Sequence, residues 1–265
     1  MKNILTIIPV LVVAILLGAS IYFLPSDDSD EDLAVPKNEA VPIVAIDEKE
    51  VNYFENTKGF YAEPGQAGDY PGIVMIHEWW GLNDNIKDMA RELAKDGYKV
   101  LAVDLFGKVA GTPDDAHAQV AGLNQAEALQ NLKTALVYLR SQNATRIGSL
   151  GWCFGGGQSM QLALSGEDLS ATVIYYGNLV TDAEKLKSIK WPVLGIFGGA
   201  DQSVKVETVR DFDAALDASG VVNSVYIYPG MGHAFANPTG ANYAPAETRD
   251  AWAKTLKFLS DNLKY

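Results

Sequence analysis

From Val51 onward the chain alternates short apolar runs with amphipathic stretches. The runs Gly72–Ile76, Arg146–Leu150, Ala171–Tyr176, Pro192–Phe197 and Ser224–Tyr228 are rich in β-branched and aromatic residues, as strands of a buried sheet are. Between them, Pro113 to Leu139 sets Val120, Leu123, Leu129, Leu132, Leu136 and Leu139 at helical spacing, and Gly155–Leu164 reads as a helix directly after a strand. This alternation predicts an α/β fold: a mostly parallel, doubly wound sheet flanked by helices, in one domain.

The amino terminus breaks the pattern. Ile4–Leu24 carries no charge and is preceded by Lys2, so as a helix it is long enough for the ~30 Å hydrocarbon core of a bilayer. The expectation is a membrane anchor over 1–24, with Lys2 on the cytoplasmic side and the catalytic domain extracytoplasmic. The rival is a signal peptide cleaved near Gly18-Ala19-Ser20, which would leave a secreted protein. Residues 25–49, rich in Asp, Glu, Ser and Pro, read as a self-repelling acidic linker, and 50–265 as the folded domain.

Charge and cysteine count narrow the partners. In 265 residues there are 33 acidic against 21 basic side chains, a formal net charge of −12, which disfavours nucleic acid. One cysteine excludes an intrachain disulfide. There is no His-x-x-x-His pair and no cysteine cluster, so neither a metal nor another cofactor is expected.

That cysteine carries the chemical signal. It lies in Gly151-Trp152-Cys153-Phe154-Gly155, after a strand and before a helix, in the pattern of a nucleophile elbow with cysteine in place of serine. The helix dipole at such a turn favours thiolate over thiol. Two later strands deliver Gly198-Gly199-Ala200-Asp201 and Pro229-Gly230-Met231-Gly232-His233. The order Cys153, Asp201, His233 is nucleophile, acid, base, each on a loop after a strand. His233 would activate the thiol while Asp201 fixes the imidazole tautomer. His117 reads as a solvated helix residue, and His77, at the end of its strand, as a local hydrogen-bonding group.

With these motifs, and with His77-Glu78-Trp79-Trp80-Gly81-Leu82-Asn83, the chain resembles the dienelactone hydrolase family of the α/β-hydrolase fold from about Glu50 to Tyr265. The resemblance implies that Glu78 takes the thiol proton when substrate arrives. It also implies an oxyanion hole formed by the backbone N–H groups of Trp79 and Phe154. The expected activity is cleavage of carboxylic esters or lactones by the Cys-His-Asp triad through an acyl-thioester. The alternatives are a non-catalytic binding protein of the same fold and a thiol redox sensor. Trp80, Trp152, Tyr176, Phe235 and Asn237 are expected to line the substrate pocket. Asn237 stands where the family's His-x-Phe-x-Arg pattern carries an arginine for the substrate carboxylate. The expected partners are a small-molecule ester or lactone and, through the N-terminal segment, a membrane, with the protein a monomer.

Overall fold

A computed structural model describes residues 44–264. Its eight strands are β1 (Ile46–Phe54), β2 (Thr57–Pro64), β3 (Gly72–Ile76), β4 (Lys99–Val103), β5 (Ile147–Trp152), β6 (Ala171–Tyr175), β7 (Val193–Gly198) and β8 (Asn223–Tyr228). They form one sheet in the order β1-β2-β4-β3-β5-β6-β7-β8. The six strands β3 to β8 run parallel, while β2 pairs antiparallel with both β1 and β4. The helices are α1 (Asp84–Lys95), α2 (Pro113–Ala121), α3 (Gln125–Ser141), α4 (Phe154–Ala163), α5 (Ala183–Leu186), α6 (Val206–Ser219) and α7 (Pro245–Leu263).

Composition explains where the core sits. Every residue of β3, β4, β5, β6 and β7 is buried, which requires cover on both faces of the sheet and accounts for their largely apolar sequences. At the two edges the pattern changes. β8 alternates between half-buried and exposed positions along most of its length, and β1 exposes Asp47, Glu48, Lys49 and Glu50. Charges on an edge strand discourage pairing with another chain.

Two differences from the sequence reading are local. The helical pattern from Pro113 to Leu139 is two helices. Gly122 caps the end of α2, and the Asn124 side chain accepts hydrogen bonds from Ala126 and Glu127 to start α3. β1 begins at Ile46, within the stretch read as linker. Its largely polar sequence belongs to an exposed edge, where hydrophobic periodicity is weak.

The expected membrane-spanning segment is a correction to the architecture. Among the described residues no helix is long and apolar enough to cross a membrane. The longest, α7, carries Glu247, Arg249, Asp250, Lys254, Lys257 and Asp261, several of them paired at its surface. The stretch on which the anchor was placed, 1–24, lies outside the described residues. The fold described is that of the α/β domain. The membrane anchor, the membrane as partner and the extracytoplasmic placement have no support in it.

Candidate active site

Strand register brings the chemistry to one edge. Ile76 of β3 pairs with Gly151 of β5, and Trp152 of β5 pairs with Tyr175 of β6. The next residues of these neighbouring strands, His77-Glu78, Cys153 and Tyr176, therefore emerge side by side at the carboxyl ends of parallel strands, where open α/β sheets place their sites. β7 and β8 add Asp201 and His233 from the same edge.

Cys153 occupies a strained turn. It is the N-cap of α4 with φ 52° and ψ −116°, a left-handed backbone that costs a non-glycine residue on the order of 1–3 kcal/mol. Two glycines make so sharp a turn possible. A Cβ on Gly151 would lie 2.1 Å from the Gly155 carbonyl oxygen, and one on Gly155 would lie 2.3 Å from that of Ile76. Tyr176 (φ 34°) and Ala234 (φ 58°) are also left-handed. Backbone strain thus gathers around the thiol.

The triad is assembled. His233 Nε2 is 3.1 Å from Cys153 Sγ, and His233 Nδ1 is 2.8 Å from Asp201 Oδ2. The other oxygen of Asp201 accepts the backbone N–H groups of Ser203 and Val204, which fix the carboxylate. Burial opposes charge on His233, but its hydrogen bonds to Asp201 and Cys153 outweigh burial and hold its pKa up at about 10. Burial likewise opposes charge on Asp201. The hydrogen bond from His233 and those from Val204 and Ser203 prevail and hold it below the usual carboxylate range.

Glu78 is buried beside the triad. Burial pushes its pKa up to about 7, against the pull of His233, Asn237 and Tyr176. Its Oε2 accepts the side-chain amide of Asn237, whose own Oδ1 is held by the backbone and hydroxyl of Thr239. The buried side chains of Glu78 and Tyr176 interact with each other, although among the described residues neither Glu78 Oε1 nor the Tyr176 hydroxyl makes a hydrogen bond of good geometry. Burial, then the nearby Glu78 charge, raises the Tyr176 pKa well above its ordinary value, so the phenol stays neutral.

A cavity of roughly 520 Å³ opens onto the thiol. Trp79, Trp80, Phe154, Tyr176 and Asn237 line it, together with Glu78, Cys153 and His233. Among the described residues lining it, none is lysine or arginine. Trp152 and Phe235, expected in the pocket, are core residues: Trp152 packs beside Tyr175, and Phe235 lies against Tyr176 and Tyr228. The sequence reading also missed a wall. His117 projects from α2 into the cavity lining, its ring edge-to-face with Trp79 at 4.7 Å, and Val120 follows one turn on. The spacing of His117 and Val120 on one helix face was visible in the sequence, but their partner, Trp79, is joined to them only by tertiary folding.

Fold and site together define a cysteine hydrolase of the α/β-hydrolase class, with a Cys-His-Asp triad suited to carboxylic esters and lactones through an acyl-thioester. The chain belongs to the dienelactone hydrolase family, whose model matches residues 57–263. It is 30% identical over 255 residues to a Saccharolobus solfataricus protein provisionally named a carboxymethylenebutenolidase, covering 80% of this chain and 98% of that one. It is 32% identical over 218 residues to Protein usf of Aquifex pyrophilus, covering 78% and 94%. Among solved structures it is similar to a dienelactone hydrolase-like promiscuous phosphotriesterase from metagenomic libraries. That likeness has a TM-score of 0.73 and 26% identity, and covers 82% of this chain and 99% of that one.

Proposed function

We propose that this hydrolase acts on neutral esters or lactones with an aryl or other apolar group, and that Glu78 is its acylation base. The lining of the cavity supports this reading: aromatic side chains surround the thiol, and among the described lining residues there is no lysine or arginine to receive a substrate carboxylate. Asn237, at the position where the family pattern has arginine, has its amide committed to Glu78. A neutral amide cannot replace the ion pair that an anionic substrate would need.

The proposed steps are these. Glu78, ionised, takes the proton of Cys153, and Sγ attacks the ester carbonyl carbon. The π electrons of the carbonyl move onto its oxygen, and the N–H groups of Trp79 and Phe154 would donate hydrogen bonds to that oxyanion. Collapse of this adduct breaks the bond to the alcohol, which leaves with the proton from His233. Water then attacks the thioester and gives a proton to His233. The acid departs, and the thiolate recovers its proton from Glu78.

The deciding experiment compares kcat/KM for a carboxylated lactone and its neutral methyl ester on the purified enzyme. The neutral substrate should be preferred by at least tenfold. Preference for the carboxylate would overturn the substrate assignment.

A further inference from the structure

We infer that His77 is a positioning residue that holds both donors of the oxyanion hole in place. The inference rests on the reading of Trp79 and Phe154 as those donors. His77 is fully buried, and its hydrogen bonds fix its tautomer. The backbone N–H of Leu105 can only donate, and it lies 3.1 Å from Nε2, so Nε2 accepts. The proton therefore sits on Nδ1, which donates across 2.6 Å to the carbonyl oxygen of Glu78. Burial, the largest influence on the ring, lowers its pKa and keeps it neutral in this arrangement.

The acceptor matters because of covalent geometry. The Glu78 carbonyl and the Trp79 N–H belong to one planar peptide unit and point in opposite directions. Holding the oxygen fixes the direction of the N–H. The Gly81 N–H meets the same oxygen at 3.2 Å, closing a tight turn. Farther along the loop, the Gln119 side chain holds the Trp79 carbonyl and the Ala110 N–H holds that of Trp80. Of the two contacts to the Glu78 carbonyl, the one from His77 comes from a side chain and is the shorter.

The same ring reaches the second donor. It stacks on Phe154 with centroids 6.0 Å apart and an interplanar angle of 20°, while Phe106 packs against both rings. Phe154 begins α4, and the close approach of Gly155 to the Ile76 and His77 carbonyls seats that helix on the end of β3. One imidazole thus ties the loop that carries one donor to the helix that carries the other. An oxyanion hole depends on such fixed orientation, because its donors must already point at the charge that develops.

The test separates oxyanion stabilisation from general integrity by using two reactions of the same thiol. In alkylation by iodoacetamide, Sγ displaces iodide from carbon and no oxyanion forms. In acylation by p-nitrophenyl acetate, Sγ adds to the carbonyl, oxygen becomes anionic, and p-nitrophenolate is expelled. His77→Phe keeps the stacked ring and removes the N–H donor. It should slow acylation by about 10–100-fold, short of the ~10²–10³ lost when a donor itself is removed. Alkylation should stay within about twofold of the parent. His77→Gln, which can donate to Glu78 and accept from Leu105, should recover most of the acylation rate. Equal losses in both reactions, or no loss in acylation, would overturn the proposal.

Should His77→Phe fail to fold, the parent supplies the answer by nitrogen-15 NMR of its imidazoles. The Nδ1–H tautomer of His77 is expected, with a resonance that moves when Cys153 adds to a trifluoromethyl ketone and stays when it is alkylated. An Nε2–H tautomer, or no response to the ketone, would overturn it. Failure of the parent itself to acylate Cys153 would instead sink the hydrolase reading.

Discussion

Asn237 donates its side-chain amide to the carboxylate of Glu78, joining the loop after β8 to the loop after β3 across 159 residues of sequence. The contact gives a buried acid a neutral partner. Burial raises Glu78, and the charge of His233 and the hydrogen bonds of Asn237 and Tyr176 pull against it to leave its pKa at about 7, where a cation at position 237 would lower it further. The residue at position 237 therefore contributes both to the charge of the pocket and to the pH at which its base is ready.

Acylation by the parent should rise with pH through about 7, because Glu78 accepts a proton only when ionised. In Glu78→Gln this limb should vanish and acylation should fall by at least 10²-fold, a loss typical of removing a general base. Rapid-mixing measurements of p-nitrophenol release between pH 5 and 9 (roughly two units to either side of that pKa) are the check. A Gln variant that acylates at the parent rate would leave Glu78 a structural group only.

Stability should move in the opposite sense. Folded Glu78 holds its proton up to about pH 7, while in the unfolded chain it is lost near ~4.3. Protons bound in excess by the folded state stabilise it below the unfolded value, and the contribution is lost as pH rises through the folded one. Glu78→Gln should match the parent near pH 4 and exceed it by about 1–3 kcal/mol near pH 8 in denaturant unfolding. Greater stability of the parent at pH 8 would contradict the burial argument.

Cys153→Ala should abolish turnover and leave the fold intact. Cys153→Gly should be equally inactive yet more stable than the alanine variant by about 1 kcal/mol, because only glycine adopts φ 52° without strain. Thermal unfolding of the two inactive proteins measures the difference. Equal stability would mean that the elbow stores no backbone strain.

His117→Ala should raise KM for aryl esters about 3–10-fold and leave kcat for the acetyl group nearly unchanged, since an aryl group bound against this wall would lose an aromatic contact worth about 0.5–1.5 kcal/mol. Steady-state kinetics on a series from methyl to naphthyl esters would show whether the loss grows with leaving-group size. An effect independent of size would remove His117 from the substrate wall.

Much of the site was legible because its members follow strands. A glycine-bounded apolar run predicts both a buried parallel strand and the edge at which its next residue emerges, and Cys153, Asp201 and His233 all stand at such places. Trp152 and Phe235 show where that logic stops. Each lies within two residues of a catalytic residue in sequence, but Trp152 ends a strand buried along its whole length and Phe235 sits in a turn packed against Tyr176 and Tyr228, so both side chains enter the core. His77 reads from the sequence as a local hydrogen-bonding group, and it meets the carbonyl of the adjacent Glu78. His117 marks the complementary limit, since the Trp79 ring against which it packs is a partner that short-range pattern cannot supply. The hairpin of β1 and β2 was obscured for a different reason, since an edge strand with outward charges lacks the apolar signature of the strands it extends.

The edge position of β8 has a consequence for how this enzyme fails. Cys153 hangs from β5, paired on both sides in the middle of the sheet, whereas His233 hangs from a strand with one neighbour and a half-exposed surface. Local opening starts where protection against hydrogen exchange is lowest, and fraying of this outermost strand is enough to part base from nucleophile. On gentle heating, activity should therefore be lost before the rest of the sheet opens, which hydrogen exchange at β8 and at β5 would show.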